Sequence, residues 1–191
     1  MGNAVPLFDH FSLIAPHYDR VFHRADVDVL QEMVLPENNH RLLDVGGGTG
    51  RVAQYFVGCV EQVCVLDPSL HMLRETQRKD ICTTQGEAER LPYPAACFDR
   101  IIMVDAFHHL GKHSIAVDEL VRVLAVGGRL VIEEPDIAHR RVKLVALGEK
   151  ALMMRSQFYA PDIIRQMLTS QGLCAWVETR GTTAWIIAEK E

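Results

Sequence analysis

Residues 42 to 53, Leu42-Leu43-Asp44-Val45-Gly46-Gly47-Gly48-Thr49-Gly50-Arg51-Val52-Ala53, pass from an apolar run through one acid into a four-glycine loop, after which helical sequence resumes. Glycine has no Cβ, so a strand can turn sharply into a helix here and a ligand can lie against bare backbone. Such a loop receives the nucleoside end of a ligand. The acid decides which ligand. Loops that hold dinucleotides offer helix N-terminal N–H groups to a pyrophosphate. A carboxylate fixed beside them repels each phosphate charge by roughly 3 kcal/mol at about 5 Å and an effective dielectric near 20. A cationic ligand without phosphate is attracted instead.

A second acid stands where a nucleoside needs it. Gln62-Val63-Cys64-Val65-Leu66-Asp67 reads as the next buried strand, and Asp67 falls 17 residues after Gly50. A carboxylate at that strand tip can accept hydrogen bonds from both ribose hydroxyls. Pro68 and Ser69 then open a helix, Ser69 as its N-cap, with Leu70 or Met72 placed to lie against an adenine. S-adenosylmethionine, with a sulfonium and an ammonium against one carboxylate, meets these demands. The glycines alone also fit the loose dinucleotide fingerprint, and Asp67 would serve the ribose of NAD, so an NAD-linked oxidoreductase is the competing enzyme.

The elements that must position these residues follow from hydrophobic periodicity. The length of 191 residues suits one domain, and 48% hydrophobic with 24% charged residues is ordinary globular composition. We divide it into an N-terminal helical cap (1–36), a cofactor-binding core (37–135), a lid or substrate region (136–160) and a last helix with terminal hairpin (161–191). The net charge of −5 leaves no basic footprint for nucleic acid. No apolar run approaches the ~18 residues of a membrane span, and no signal-peptide pattern opens the chain, so a cytoplasmic protein is expected. The cysteines, Cys59, Cys64, Cys82, Cys97 and Cys174, form no C-x-x-C pair and read as reduced core thiols.

Strands are expected at about 40–45, 62–67, 81–84, 98–104, 129–133, 173–178 and 183–188. Between them come helices near 51–57, 69–79, 115–124 and 161–172, with a further helix from Asp26 or Asp28 towards Leu35. Gly127 and Gly128 carry the chain into the fifth strand through positive φ. The short link Thr179-Arg180-Gly181-Thr182 makes the last two strands a hairpin, which places one antiparallel strand at the edge of an otherwise parallel α/β sheet.

With these residues in view, the chain resembles the class I S-adenosylmethionine-dependent methyltransferases, in particular the ubiquinone/menaquinone-biosynthesis group, over about Phe8 to Ala188. The resemblance is carried by the stretch from Leu42 to Gly50, by Asp67, by Gly86-Glu87-Ala88-Glu89-Arg90-Leu91-Pro92-Tyr93-Pro94 followed by Phe98-Asp99, and by Leu124-Ala125-Val126-Gly127-Gly128. It implies a Rossmann-like three-layer sandwich whose seven-stranded sheet runs 3-2-1-4-5-7-6 with strand 7 antiparallel. It also implies a cofactor site of Asp44, Gly46, Gly47, Gly48, Gly50, Asp67, Pro68, Glu87, Ala88 and Asp105. In that site Glu87 accepts from the adenine amino group, the Ala88 N–H meets a ring nitrogen, and a carbonyl at the end of strand four, around Val104 to Ala106, takes the methionine ammonium. Tyr18, in the N-terminal segment that folds over the cofactor, either touches the methionine carboxylate or is a core tyrosine.

Methyl transfer asks for alignment, exclusion of water and, where the acceptor atom bears a proton, a base. His108 and His109, just past strand four, are the base candidates, or else pack over the cofactor. His10, His17, Asp105, Arg155 and Tyr159 lie further out. His109 and His113 are four apart, but no third ligand accompanies them and no metal is expected. Strand four ends Asp105-Ala106-Phe107-His108, without the Pro-Pro-aromatic signature of many amine-directed nucleic-acid and protein methyltransferases, and no Pro-Cys pair offers a covalent route. A small-molecule methyl acceptor is therefore expected, with the atom methylated left open. The region from Asp136 to Tyr159 is only 24 residues long. Its pocket is either shallow or completed by the N-terminal helices or by the second subunit of a homodimer. Leu144, Val145, Leu147, Leu152, Met153 and Met154 form an apolar stripe there that faces core or acceptor. A third possibility, of another class, is a catalytically silent S-adenosylmethionine-binding module that acts through a partner.

Overall fold

A computed structural model describes residues 27–137 and 157–191 of the chain. The elements are α1 (Val27–Val34), β1 (Arg41–Val45), a 3₁₀ turn (Ala53–Phe56), β2 (Gln62–Asp67), α2 (Leu70–Gln77), β3 (Cys82–Gln85), β4 (Phe98–Val104), a second 3₁₀ turn (Phe107–His109), α3 (His113–Val123), β5 (Leu124–Pro135), α4 (Pro161–Ser170), β6 (Cys174–Arg180) and β7 (Thr183–Glu189). The strands form one seven-stranded sheet in the order β3-β2-β1-β4-β5-β7-β6. Pairing is parallel from β3 to β5, and β7 runs antiparallel to both neighbours. The α/β sandwich and the strand order implied by the resemblance are those found.

The central strands read as continuous apolar sequence because helices cover both faces. On one face Val29, Leu30 and Val34 of α1, Ala53 and Phe56 of the turn and Leu73 of α2 meet Leu42, Val65, Ile102, Val131, Trp185 and Ile187. On the other, Ala116, Val117, Leu120 and Val123 of α3 and Ile164 and Leu168 of α4 meet Leu43, Leu66, Ile101, Met103, Leu130 and Ile186. Since β1, β2, β4 and β5 are parallel, their C-terminal ends open on one edge, where Asp44, Asp67, Asp105, Glu133 and Glu134 gather.

Several expectations are corrected. The antiparallel strand is not at the edge. β7 is apolar along Ala184-Trp185-Ile186-Ile187-Ala188 and buried between β5 and β6, whereas the half-exposed β6 takes the edge. The helix expected near 51–57 is a single 3₁₀ turn, because the glycine loop uses the chain through Val52 and β-branched Val57 is already extended. Gly127 has φ 75° as expected, whereas Gly128 does not take positive φ, and β5 starts at Leu124. Cys82 and Cys174 are exposed rather than core thiols because they stand on the two edge strands. Ser69 does cap α2, its hydroxyl accepting from the Met72 N–H at 3.4 Å. Among the described residues no helix is long and apolar enough to cross a membrane.

The first 3₁₀ turn has one turn's worth of backbone bonding and owes its place to burial. Phe56→Ala should therefore cost about 3–5 kcal/mol, read as a lower urea midpoint with an unchanged slope.

Candidate active site

The β1 to α1-face crossover is shaped by glycines at three left-handed positions, Gly46 (φ 72°), Gly48 (φ 55°) and Gly50 (φ 69°). Contact adds to conformation at two of the loop's glycines. A Cβ on Gly46 would stand 2.7 Å from the Cβ of Ala106, and one on Gly47 would stand 2.5 Å from Asp44 Oδ2. The loop is pinned to β2 by the Gly46 N–H, which donates to the Leu66 carbonyl at 2.7 Å. It is pinned to α2 by the buried Thr76, whose Oγ1 donates to the Gly48 carbonyl at 2.7 Å.

Asp44 sits inside this turn, 1% exposed. Neither of its carboxylate oxygens has a hydrogen-bond partner among the described residues. Burial pushes its pKa up to about 7; the Arg51 guanidinium opposes that rise, the Asp67 charge adds to it, and the nearby Ala53 N–H tempers it without reaching hydrogen-bond geometry. Asp67, at the tip of β2, is tied into the same loop: its Oδ2 accepts from the Gly48 N–H at 3.0 Å and its Oδ1 from the Ser69 N–H at 2.8 Å.

The neighbouring strand ends complete the edge. Gly86 donates to the Asp67 carbonyl at 3.2 Å, which brings the exposed Glu87 and the buried Ala88 beside the tip of β2. The loop beyond them is anchored to α3, with the Leu91 N–H on Glu119 and Arg122 on the Leu91 and Tyr93 carbonyls. Pro68 is exposed, and its carbonyl accepts from Gln85 at 3.1 Å. Leu70 is exposed at the same edge, whereas Met72 is buried beneath Gly48, so only Leu70 remains placed to meet a flat ring. Asp105 follows β4 at φ 52°, a sparsely populated conformation for a residue with a Cβ, and its Oδ2 lies 3.6 Å from Arg51 Nη2.

Four residues of this edge escaped the sequence reading as site residues: Arg51, Thr76, Glu133 and Glu134. Glu133 is buried, and its pKa rises to about 7, first through burial and then through the Asp105 charge, against the Trp185 indole that donates to its Oε2 at 2.7 Å. Glu134 faces the opposite side of the strand. Its Oε1 accepts from the Phe107 N–H at 2.8 Å and its Oε2 meets His108 Nδ1 at 2.6 Å. The His108 ring stacks on Phe158 with centroids 4.3 Å apart. His109 leans on His108 at 4.0 Å and keeps exposed surface, yet burial of its ring among neighbours and the adjacent imidazole push it down to about 4. His113 opens α3, is buried and meets the Phe107 carbonyl through Nε2 at 3.0 Å. It does not share a helix with His109. Tyr159 packs on Phe107 and His113. Tyr18, His10, His17, Arg155 and the apolar stripe from Leu144 to Met154 lie outside the described residues.

Comparison with known proteins settles the family. Residues 43–132 match the family model of a methyltransferase domain. An uncharacterized methyltransferase of Bacillus subtilis, YcgJ, is 34% identical over 172 residues, covering 76% of this chain and 67% of that protein. The chain belongs to the class I S-adenosylmethionine-dependent methyltransferases. Within these methyltransferases, the ubiquinone/menaquinone biosynthesis C-methyltransferase of Saccharophagus degradans is 30% identical over 142 residues, covering 65% of this chain and 57% of that protein. The chain spans between 31% and 57% of the length of several of the curated methyltransferases it matches. The fold agrees, with a TM-score of 0.83 at 14% identity to a structure described as a complex between the Haloferax volcanii Trm112 methyltransferase activator and the putative methyltransferase, covering 96% of this chain and 98% of that one.

The residues fit the family's cofactor. A desolvated acid without a hydrogen-bond partner, in a loop that a Cβ at Gly46 or Gly47 would obstruct, suits a cationic nucleoside and penalises a diphosphate. The raised acid also has a stability consequence. Its pKa lies above the unfolded value of 3.8, so the native state holds a proton that the unfolded state has lost, and stability falls as pH rises from about 4 to about 7. Asp44→Asn removes this dependence. The stability of the variant relative to the parent should therefore be greater at pH 8 than at pH 4 by on the order of 4 kcal/mol, measured by urea unfolding at both pH values.

Proposed function

We propose that this chain transfers a methyl group from S-adenosylmethionine to a small-molecule acceptor. The observation that carries this reading is Asp44, a buried carboxylate that no group among the described residues hydrogen-bonds, set in the turn where the nucleoside end of a ligand enters. The bound sulfonium supplies an already activated methyl group. What remains for the protein is to bind, orient and, where needed, accept a proton.

In this proposal Asp67 takes the ribose, Glu87 and the Ala88 N–H take the adenine, Pro68 and the glycines Gly46, Gly47, Gly48 and Gly50 shape the floor, and Asp105 and Tyr18 serve the amino-acid end. Of the two histidines proposed as bases, His108 has the support of a carboxylate at 2.6 Å. The acceptor is proposed to be small because the lid region is short and strand four lacks the amine-directed signature. Five free cysteines support a reducing, cytoplasmic compartment. An NAD-linked oxidoreductase is disfavoured by the same buried acid.

Calorimetry tests the reading. The chain should take up S-adenosylhomocysteine and not NAD; tight NAD uptake without the nucleoside thioether would overturn it. Asp67→Ala should weaken uptake by about 1.5–3 kcal/mol, through loss of charged hydrogen bonds. A further consequence concerns pH. Ionised Asp44 pairs with the sulfonium, so affinity for S-adenosylmethionine should climb by up to about tenfold per pH unit below pH 7 and level off above it, more steeply than for the uncharged thioether.

A further inference from the structure

The loop that follows β3 carries Glu87 and Ala88, and it is tied at both ends. At its start the Gly86 N–H donates to the Asp67 carbonyl at 3.2 Å. At its end the Leu91 N–H donates to Glu119 Oε2 at 2.8 Å, and Arg122 of α3 donates to the carbonyls of Leu91 and Tyr93 at 3.0 and 2.8 Å. Between these ends the chain makes a turn, closed by the Arg90 N–H on the Glu87 carbonyl at 3.1 Å. Glu89 holds the middle of that turn. Its Oε1 accepts from the Gly111 N–H at 2.9 Å and from the Lys112 N–H at 3.0 Å, where the chain leaves the second 3₁₀ turn and enters α3. Folding has little need of this staple, because Gly111 and Lys112 are exposed and water would take both N–H groups in its absence. What it does decide is where Glu87 and Ala88 stand. Ala88 is 5% exposed, but a single buried methyl group sets the depth of the turn and not its direction. A carboxylate held by two backbone N–H groups one residue later fixes the direction as well.

We infer that Glu89 is a positioning residue for base selectivity: by tying the turn from Glu87 to Arg90 to the head of α3, it presents the Glu87 carboxyl and the Ala88 N–H at the spacing that accepts an amino-bearing purine and refuses the oxo form. This rests on the assignment of Glu87 and Ala88 to the adenine in the proposed function. The oxo base offers an acceptor and a ring N–H where adenine offers an N–H donor and a ring lone pair, so an acceptor and a donor held in place are mismatched at both atoms. A turn free to shift moves the pair away from both mismatches and refuses the oxo base less. Linkage makes the effect reciprocal. A base that is held better while the staple is closed must hold the staple closed by the same factor.

The test is calorimetry on the full chain with S-adenosylhomocysteine and with its oxo counterpart, S-inosylhomocysteine. The unmodified chain should prefer the adenine form by about tenfold or more. Glu89→Ala should narrow that preference by about fivefold or more, whereas Glu89→Gln, whose amide oxygen can accept both N–H groups, should keep it within about twofold. A residue that only steadied the fold would weaken both ligands alike. On the unmodified chain, solvent exchange of the Gly111 and Lys112 amides, read by NMR, should slow by about fivefold or more when the adenine form saturates the site, and by less than about twofold with the oxo form. A preference unchanged in Glu89→Ala, a preference lost in Glu89→Gln, or amides that respond equally to the two ligands each overturns the inference while the unmodified chain still prefers adenine. Equal uptake of both ligands by the unmodified chain overturns the assignment of Glu87 and Ala88 instead, uptake of neither overturns the cofactor reading, and the inference falls with either. The exchange measurement needs no variant, so a substitution that fails to fold does not shield the inference.

Discussion

A carboxylate buried without a hydrogen bond is the constraint around which this molecule is arranged. Removing such a group from water costs several kcal/mol unless it protonates, pairs or meets a ligand, and the described residues give Asp44 no hydrogen-bond partner. The surrounding geometry preserves that state. The loop closes over the acid because residue 47 has no side chain to collide with it, and the Leu66 carbonyl and Thr76 hydroxyl fix the loop from either side. A buried carboxylate without a partner among the described residues, at the C-terminal edge of the sheet, is suited to a group that arrives from outside.

Strand alternation then divides the chemistry. Successive residues of a strand face opposite sides, so Glu133 and Glu134 at the end of β5 point to different layers. Glu133 joins Trp185 and the surroundings of Asp105 and Arg51 on the α1 side, beside the glycine loop. Glu134 joins Phe107 and His108 on the α3 side. One strand end thereby places one carboxyl beside the glycine loop and another under the histidine turn, without the two competing for a single partner. β7, inserted antiparallel next to β5, is what makes the first of these possible, because its Trp185 is the indole that steadies Glu133.

The sequence was legible where one residue type had one physical reason to be present. Asp44, Asp67 and the loop glycines stood out because an acid before bare backbone, and an acid at the next strand tip, have few other uses, and the structure brings them together at one sheet edge. The extents of β2 and β4 were read correctly because continuous apolar runs admit little else. The inner position of β7 was illegible from its neighbours in sequence: a two-residue hairpin requires β6 and β7 to be adjacent but does not say which of them meets β5. Burial decides that, and the apolar alternative is β7. Arg51 and Glu134 were passed over for a different reason. An arginine after a glycine loop and two glutamates before a proline look like solvated charge, and only tertiary contact reveals a guanidinium 12% exposed against Asp105 and a carboxylate sunk against an imidazole. Glu89, given no role of its own in the sequence, accepts the Gly111 and Lys112 N–H groups at the start of α3.

Arg51 raises the sharpest objection to a cation-seeking site, since a guanidinium beside a glycine loop is what a phosphate would want. Its surroundings answer it. The charge is shared among Asp105, at 3.6 Å, and the fields of Asp44 and Glu133, so one positive charge faces three acids and a fourth, Asp67, stands at the next strand. At an effective dielectric near 20, each unit charge about 5 Å away contributes roughly 3 kcal/mol, and a diphosphate entering the loop would gain one such attraction against more than one repulsion. A zwitterion that also carries a sulfonium meets the opposite balance. Under the proposed function its two positive groups would meet the acids and its single carboxylate would meet Arg51, so the guanidinium that tempers Asp44 in the free chain would complement the ligand.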